Sequence, residues 1–255
     1  MGKILIGPAG TGGSSPEGFE LIKKSGLDAV EVEFTYSIWM KKEDAIKINS
    51  LNKNLGLVFS IHAPYFINLA SKEKVKVGAS KARILKCCEI GHYLGAKYIV
   101  FHAGFYQDLD KEDVFEIIKE AIIDMQDVIK SKKWDVVLAP ETTGKATQFG
   151  DLDELIRLKK ETGCHLCVDF SHLKARYNGV IDYDIIMKKL KPLGHIHSHF
   201  SGIEWTAKGE RRHILTSEDY ILELFKYLKK YDIDVTIINE SPDPLGDAVK
   251  MKKLI

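Results

Sequence analysis

Residues 93–129 read YLGAKYIVFHAGFYQDLDKEDVFEIIKEAIIDMQDVI. The stretch opens on Tyr93-Leu-Gly95, a helix stop: glycine just past a helix end takes the left-handed conformation without a Cβ penalty. Residues 98–103 follow as an apolar run of strand length. A polar turn then leads to Asp110, placed as an N-cap. Beyond it Val114, Ile117, Ile118, Ala121, Ile122, Met125, Val128 and Ile129 recur at three- and four-residue spacing, an apolar stripe on a charged helix. The unit is a strand, a turn and a helix that packs back on the strand.

The unit repeats along the chain. Strand-like runs occupy residues 3–6, 29–34, 57–63, 98–103, 135–140, 165–170, 195–200 and 235–239. Glycine stops at Gly26, Gly56, Gly95, Gly163 and Gly194 each lead into one of them. Another helix shows Tyr220, Ile221, Leu224, Tyr227 and Leu228 on one face, behind Ser217 as cap. Eight β/α units in 255 residues predict one domain, residues 1–255, folded as an α/β (β/α)8 TIM barrel. A doubly wound open sheet is the alternative. The first turn, GPAGTGG at residues 7–13, lacks the G-x-G-x-x-G spacing of a dinucleotide site.

In such a barrel function sits at the C-terminal ends of the strands. The third strand ends at His62 and the fourth at His102. The fifth ends at Glu141, and the sixth at Asp169 with His172 behind it. The seventh carries His195, His197 and His199, and the eighth ends at Glu240. Carboxylates converging on one rim repel one another and are desolvated, so a positive charge belongs among them. A mixed His, Asp and Glu set suits zinc or manganese, and more than four donors imply two or three ions. Adjacent ions of this kind serve hydrolysis. Among the four cysteines, Cys164-x2-Cys167 has the spacing of half a zinc site or a redox pair; the expectation is reduced structural thiols.

These residues lie in segments that resemble the endonuclease IV family of apurinic/apyrimidinic endonucleases, within the xylose-isomerase-like barrels. The segments are IHAPYFINLA (61–70), FHAG (101–104), PETTG (140–144), VDFSH (168–172) and NESP (239–242). The resemblance implies a zinc enzyme that hydrolyses the phosphodiester 5′ to an abasic site in duplex DNA. It implies two or three zinc ions, with manganese as an alternative at one. His62, His102 and Glu141 correspond to ligands of one ion; Glu141, Asp169, His199 and Glu240 to those of a second; His172 and His213 to those of a third. Glu141 and Glu240 carry the catalysis in this reading. His199 is preferred over His197 because HFSG resembles an H-x-x-D strand end, although both share one face of the strand. The chain departs from the family at D-x-H: in GERRH (209–213) Arg211 stands at the aspartate's position, and Glu210 is the nearest substitute.

A net charge of +1 gives no global attraction to nucleic acid, so DNA must be held by a local basic patch. Lys145, Lys174, Arg176, Lys208, Arg211 and Arg212 follow strand ends and are candidates. Resemblance selects Tyr65, beside Phe66, to occupy the gap at a missing base. Neither a membrane span nor a secretion signal is read, which gives an expected cytoplasmic location with no obligate protein partner. Two rival functions remain: a metal-dependent sugar isomerase or epimerase on the same barrel, and a non-catalytic binder of damaged DNA.

Overall fold

The computed structural model describes residues 2–10 and 16–255, so residues 11–13 of the first glycine-rich turn lie outside the described residues. The elements alternate as β1 (Ile4–Pro8), α1 (Pro16–Lys24), β2 (Ala29–Glu33), α2 (Lys42–Leu55), β3 (Val58–His62), α3 (Lys74–Leu94), β4 (Tyr98–Phe101), α4 (Lys111–Lys132), β5 (Val137–Pro140), α5 (Leu152–Thr162) and β6 (Cys167–Asp169). Two helices then follow, α6 (Phe170–Arg176) and α7 (Tyr183–Leu190), before β7 (Ile196–Phe200). A hairpin, β8 (Gly202–Thr206) and β9 (Gly209–Ile214), precedes α8 (Glu218–Lys230), β10 (Val235–Asn239) and α9 (Pro244–Lys253).

Parallel ladders run β2-β3-β4-β5 and β6-β7-β10-β1. Single parallel bridges, Ala9 to Glu31 and Glu141 to Cys167, join the two arcs into a closed barrel. A Cβ at Gly7 would lie 1.9 Å from the Ala29 carbonyl oxygen, so glycine is what lets β1 approach β2 there. All five sequence-predicted helix stops have φ between 66° and 80°. Asp110 caps α4 by accepting the Glu112 N–H at 2.8 Å, and Ser217 accepts from Tyr220 N–H at 3.4 Å. One expectation fails inside α4: Ile117 is exposed and Phe115 is buried, because Phe115 packs beside Phe149 from the loop preceding α5.

Most of the core lies between strands and helices. The other face of each strand points into the barrel lumen, where a second, small cluster holds Val100, Ala139 and Cys167 against Tyr98. Strand period two then stacks the lumen in layers. In the strand registers Glu31 pairs with Ser60, Glu33 with His62, Cys167 with His197 and Asp169 with His199. Chemistry-bearing side chains at the strands' C-terminal ends therefore converge on one mouth. No helix among the described residues is long and apolar enough to cross a membrane.

Candidate metal centre

Glu141 lies at the middle of the mouth, 1% exposed. Its Oε2 is 3.1 Å from His62 Nε2 and 3.0 Å from His102 Nε2; its Oε1 is 3.2 Å from both His172 Nδ1 and His199 Nδ1. His199 Nδ1 also lies 3.3 Å from Glu240. Donor atoms of three overlapping groups approach within 4.8 Å of one another: His62, His102 and Glu141; Glu141, Asp169, His199 and Glu240; Asp169, His172 and His213. The rim residues singled out in the sequence are thus brought together.

Asp169 explains the D-x-x-H spacing. Its Oδ1 caps α6, accepting from Ser171 N–H at 2.6 Å and His172 N–H at 2.8 Å. The cap places His172 on the first helical turn, beside the mouth. Asp169 Oδ2 is buried with no hydrogen-bond partner among the described residues.

The third group is completed by a backbone irregularity. In the hairpin Glu204 pairs with Arg212 and Trp205 with Glu210, so Arg211 is an extra, bulged residue. The bulge restores Glu210 and His213 to one face, as two residues apart would be on a regular strand. Glu210 then lies 3.5 Å from His172 Nε2 and 4.0 Å from His213 Nε2. Glu210 N–H donates to the Gly144 carbonyl at 3.0 Å, and a Cβ at Gly144 would lie 2.5 Å from Glu210 Cβ. The glycine that ends PETTG is therefore the seat of the hairpin.

The donor set fits cations. His172 Nδ1 lies 3.0 Å from the Thr142 carbonyl and His213 Nδ1 lies 2.7 Å from Ser201 Oγ, which itself donates to Gly202 O at 3.0 Å. Were an ion held there, each Nδ1 would keep the ring N–H for its oxygen partner and each Nε2 would supply the lone pair. These two Nε2 atoms face each other at 3.3 Å, with a carboxylate alongside. His62 repeats the pattern, its Nδ1 2.8 Å from the Ala63 carbonyl and its Nε2 toward Glu141.

Without cations, protons take their place. Burial opposes a charge on His62, but the Glu141 contact and the neighbouring Glu33 and Glu31 carboxylates outweigh it and raise its pKa to about 10. His172 is likewise raised, against burial, by the carboxylates around it, and His199 by Cys167 and then by Glu240, Glu31 and Glu141. A raised imidazole pKa means the proton is still present at neutral pH and must leave before the nitrogen can hold an ion. Affinity for Zn2+ should accordingly rise between about pH 6 and pH 8, by about 1.4 kcal/mol per pH unit for each proton released. Calorimetry in buffers of different ionisation enthalpy measures this release; pH-independent binding would contradict it.

Some predicted contacts lie elsewhere. The Arg176 side chain is 4% exposed and its guanidinium donates to the carbonyls of Lys145 at 2.6 Å and Gln148 at 3.1 Å, buttressing the loop after β5. Its donors are turned to protein carbonyls, while the residue borders the groove formed with the hairpin. Lys174 Nζ lies 3.9 Å from the Tyr220 ring centre, in a pocket bounded by α6 and α8 away from the rim groups. Arg212 is exposed but bidentate to Glu204, at 3.0 and 2.8 Å. Lys145 and Lys208 line a groove between the loop after β5 and the hairpin. Tyr65, 53% exposed, stands at the mouth between a cavity of about 310 Å³ lined by His62, His102 and His172 and another of about 340 Å³ lined by Glu33, Thr35 and Pro244.

Two carboxylates escaped the sequence reading. Glu31 lies 2.7 Å from His199 Nε2 and accepts from His197 Nε2 at 2.8 Å. Burial would raise its pKa, but His199 and His197 hold it well below the usual range. Glu33, near Glu240, is pushed up to about 8 by burial. The alternation AVEVEF at residues 29–34 was the available signal. His197 sits one layer below His199, which leaves His199 the rim residue.

Among known proteins the chain is 37% identical to an uncharacterized protein of Methanocaldococcus jannaschii, over 98% of this chain and 96% of that one. It is 28% identical to a probable endonuclease 4 of Metamycoplasma arthritidis, over 74% of each. Among solved structures a D-tagatose 3-epimerase-like protein superposes with TM-score 0.75 at 18% identity, covering 98% and 95% of the two chains. Endonuclease IV from Thermus thermophilus superposes with TM-score 0.72 at 21% identity, covering 99% and 96%. The sequence profile of the xylose isomerase-like TIM barrels matches residues 19–253, and the chain belongs to that family.

Proposed function

We propose that the protein is a zinc-dependent endonuclease that hydrolyses the phosphodiester 5′ to abasic sites in duplex DNA, leaving a 3′-hydroxyl. The observation that carries this reading is the donor set beyond Glu141, Asp169, His199 and Glu240. Those four suffice for a single ion of the kind sugar isomerases and epimerases use. His62 with His102, and His172 with His213 and Glu210, are in excess of that need. The sequence relative named as a probable endonuclease 4 supports the same reading, whereas the structural superpositions speak to the fold that nuclease and epimerase share.

In this reading the three rim groups hold two or three zinc ions, one of them replaceable by manganese, with Glu141 common to two groups. Such ions stabilise charge on a phosphoryl oxygen and make water a nucleophile near neutral pH. The chain's own groups do the rest. Glu141 fixes four imidazoles around one carboxylate. Lys145 and Lys208 give the groove its positive charge for the phosphate backbone, so affinity falls with salt. Tyr65 borders both cavities and has an exposed face for stacking beside an extruded sugar. An abasic nucleotide has no base to unstack, which gives selectivity without base reading.

The test is incision of a duplex with one central abasic analogue, beside an intact duplex and a panel of ketoses, with and without chelator. Turnover of a ketose with both duplexes uncut would replace this reading by the epimerase one. Within the assay Tyr65→Ala should lose about 1–3 kcal/mol of preference for the abasic duplex. Lys208→Ala should weaken binding to both duplexes alike. Equal losses from both substitutions would remove Tyr65 from substrate selection.

A further inference from the structure

Beneath the rim lies a polar layer that the proposed chemistry does not use. TIM-barrel lumens are ordinarily filled by bulky branched side chains. Here Cys167 of β6 and His197 of β7 are register partners in the lumen, each at most 1% exposed. Donor atoms of Cys167, His197 and His199 lie within 4.8 Å of one another. Glu31 borders the same group, its Oε2 2.8 Å from His197 Nε2 and its Oε1 2.7 Å from His199 Nε2. Cys87, Cys88 and Cys164 instead belong to the apolar core between strands and helices. The C-x2-C spacing is therefore not a pair: only its second cysteine faces chemistry.

Three polar atoms of this layer lack a satisfactory hydrogen bond among the described residues: His197 Nδ1, His199 Nε2 and Glu31 Oε1. The last two form an ion pair with each other at 2.7 Å, which leaves His197 Nδ1 without a partner of either kind in this layer. Buried polar groups are rarely left unsatisfied, so an unpartnered imidazole nitrogen beside a buried thiol and an ion-paired carboxylate points to a missing partner.

We propose that Cys167, His197, His199 and Glu31 form a buried site for a divalent transition-metal cation of the zinc class, one layer below the rim groups and sharing His199 with them. A thiolate, two imidazoles and a carboxylate are a donor set that zinc accepts. The thiolate and carboxylate balance the two charges of the cation; where His199 also holds a rim ion through Nδ1 it serves as an imidazolate, and its remaining N–H proton is released to solvent on loading. His199 offers the two layers different nitrogens: Nδ1 faces Glu141 and Glu240 above, and Nε2 faces Glu31 below. The site ties β2, β6 and β7 together at a depth from which bulk solvent is excluded. Burial pushes the free Cys167 thiol up, so the cation must displace its proton, as metal binding to thiols generally requires.

Cobalt(II) titrated alone into chelator-stripped full-length protein tests the site. A thiolate ligand produces an intense near-ultraviolet charge-transfer band, whereas the histidine and carboxylate groups of the rim give only weak visible absorption. The wild type should show a band of one thiolate per chain. A variant with Cys87, Cys88 and Cys164 all replaced by alanine should retain it. Cys167→Ser and His197→Ala should lose it and bind one ion fewer, with circular dichroism unchanged. Absence of the band in the wild type, or its disappearance from the triple variant, overturns the proposal, and neither result requires Cys167→Ser to fold. Duplex incision is a separate readout: incision without the band rejects this site and leaves the endonuclease reading standing.

Discussion

Glu141→Gln is expected to leave a folded barrel that incises abasic DNA at least about 10³-fold more slowly, a loss of about 4 kcal/mol in transition-state stabilisation. The substitution is nearly isosteric, so packing at this fully enclosed position is kept. What changes is charge and donor capacity. One carboxylate oxygen serves His62 and His102, the other His172 and His199. An amide supplies a single acceptor, presents N–H donors on the other side and removes the negative charge common to two donor groups. Cations held there would then repel one another unscreened in a site of low dielectric. Single-turnover incision together with circular dichroism measures the effect. Near-wild-type rates in the folded variant would exclude the central role of Glu141.

Removing the ions is expected to abolish incision and to lower the thermal midpoint as well. Protein never exposed to chelator should carry at least two zinc or manganese ions per chain, one for each group built around Glu141. An ion present at about 1,000 times its dissociation constant stabilises the fold by about 4 kcal/mol. The candidate ligands lie in β3, β6 and β7 and directly after β4, β5 and β10, so ions held by them would bridge both arcs of the barrel. Elemental analysis and calorimetry before and after chelation give the two numbers. Less than one ion per chain, or a midpoint unmoved by chelation, would refute the prediction.

The barrel was legible because its signals are local. A glycine past a helix end and a period of 3.6 along α4 need only neighbouring residues, and both are seen in the structure. The rim residues were legible because strand ends share one mouth in this fold. The failures have a common cause in long-range packing. Glu31 and Glu33 alternate with valine, the pattern of a strand with one face in water; here that face is the lumen, and burial turns surface-like glutamates into site residues. Phe115 replaces Ile117 in the core because its partner, Phe149, is distant in sequence. Arg176 and Lys174 look like free charge in the sequence, yet one is engaged by loop carbonyls and the other by an aromatic ring. The hairpin was invisible as strands because GIEWTAKGERRHI has no clear alternation once Arg211 is bulged out.

That hairpin also bears on how the activity of such a barrel could change over generations. Glu141, Asp169, His199 and Glu240 belong to the barrel strands or directly follow one, and a mutation there risks the scaffold. Glu210 and His213 are carried by thirteen contiguous residues, 202–214, grafted between one strand and the next helix. Their attachment rests on the seat at Gly144 and on the pairing of β8 with β9. An insertion or deletion in this single connection could therefore add or erase one ion-holding group while every barrel strand stays in register. Descendants of one ancestral barrel could in this way diverge between chemistries that need one ion and those that need several, by trading a loop and leaving the foundation untouched.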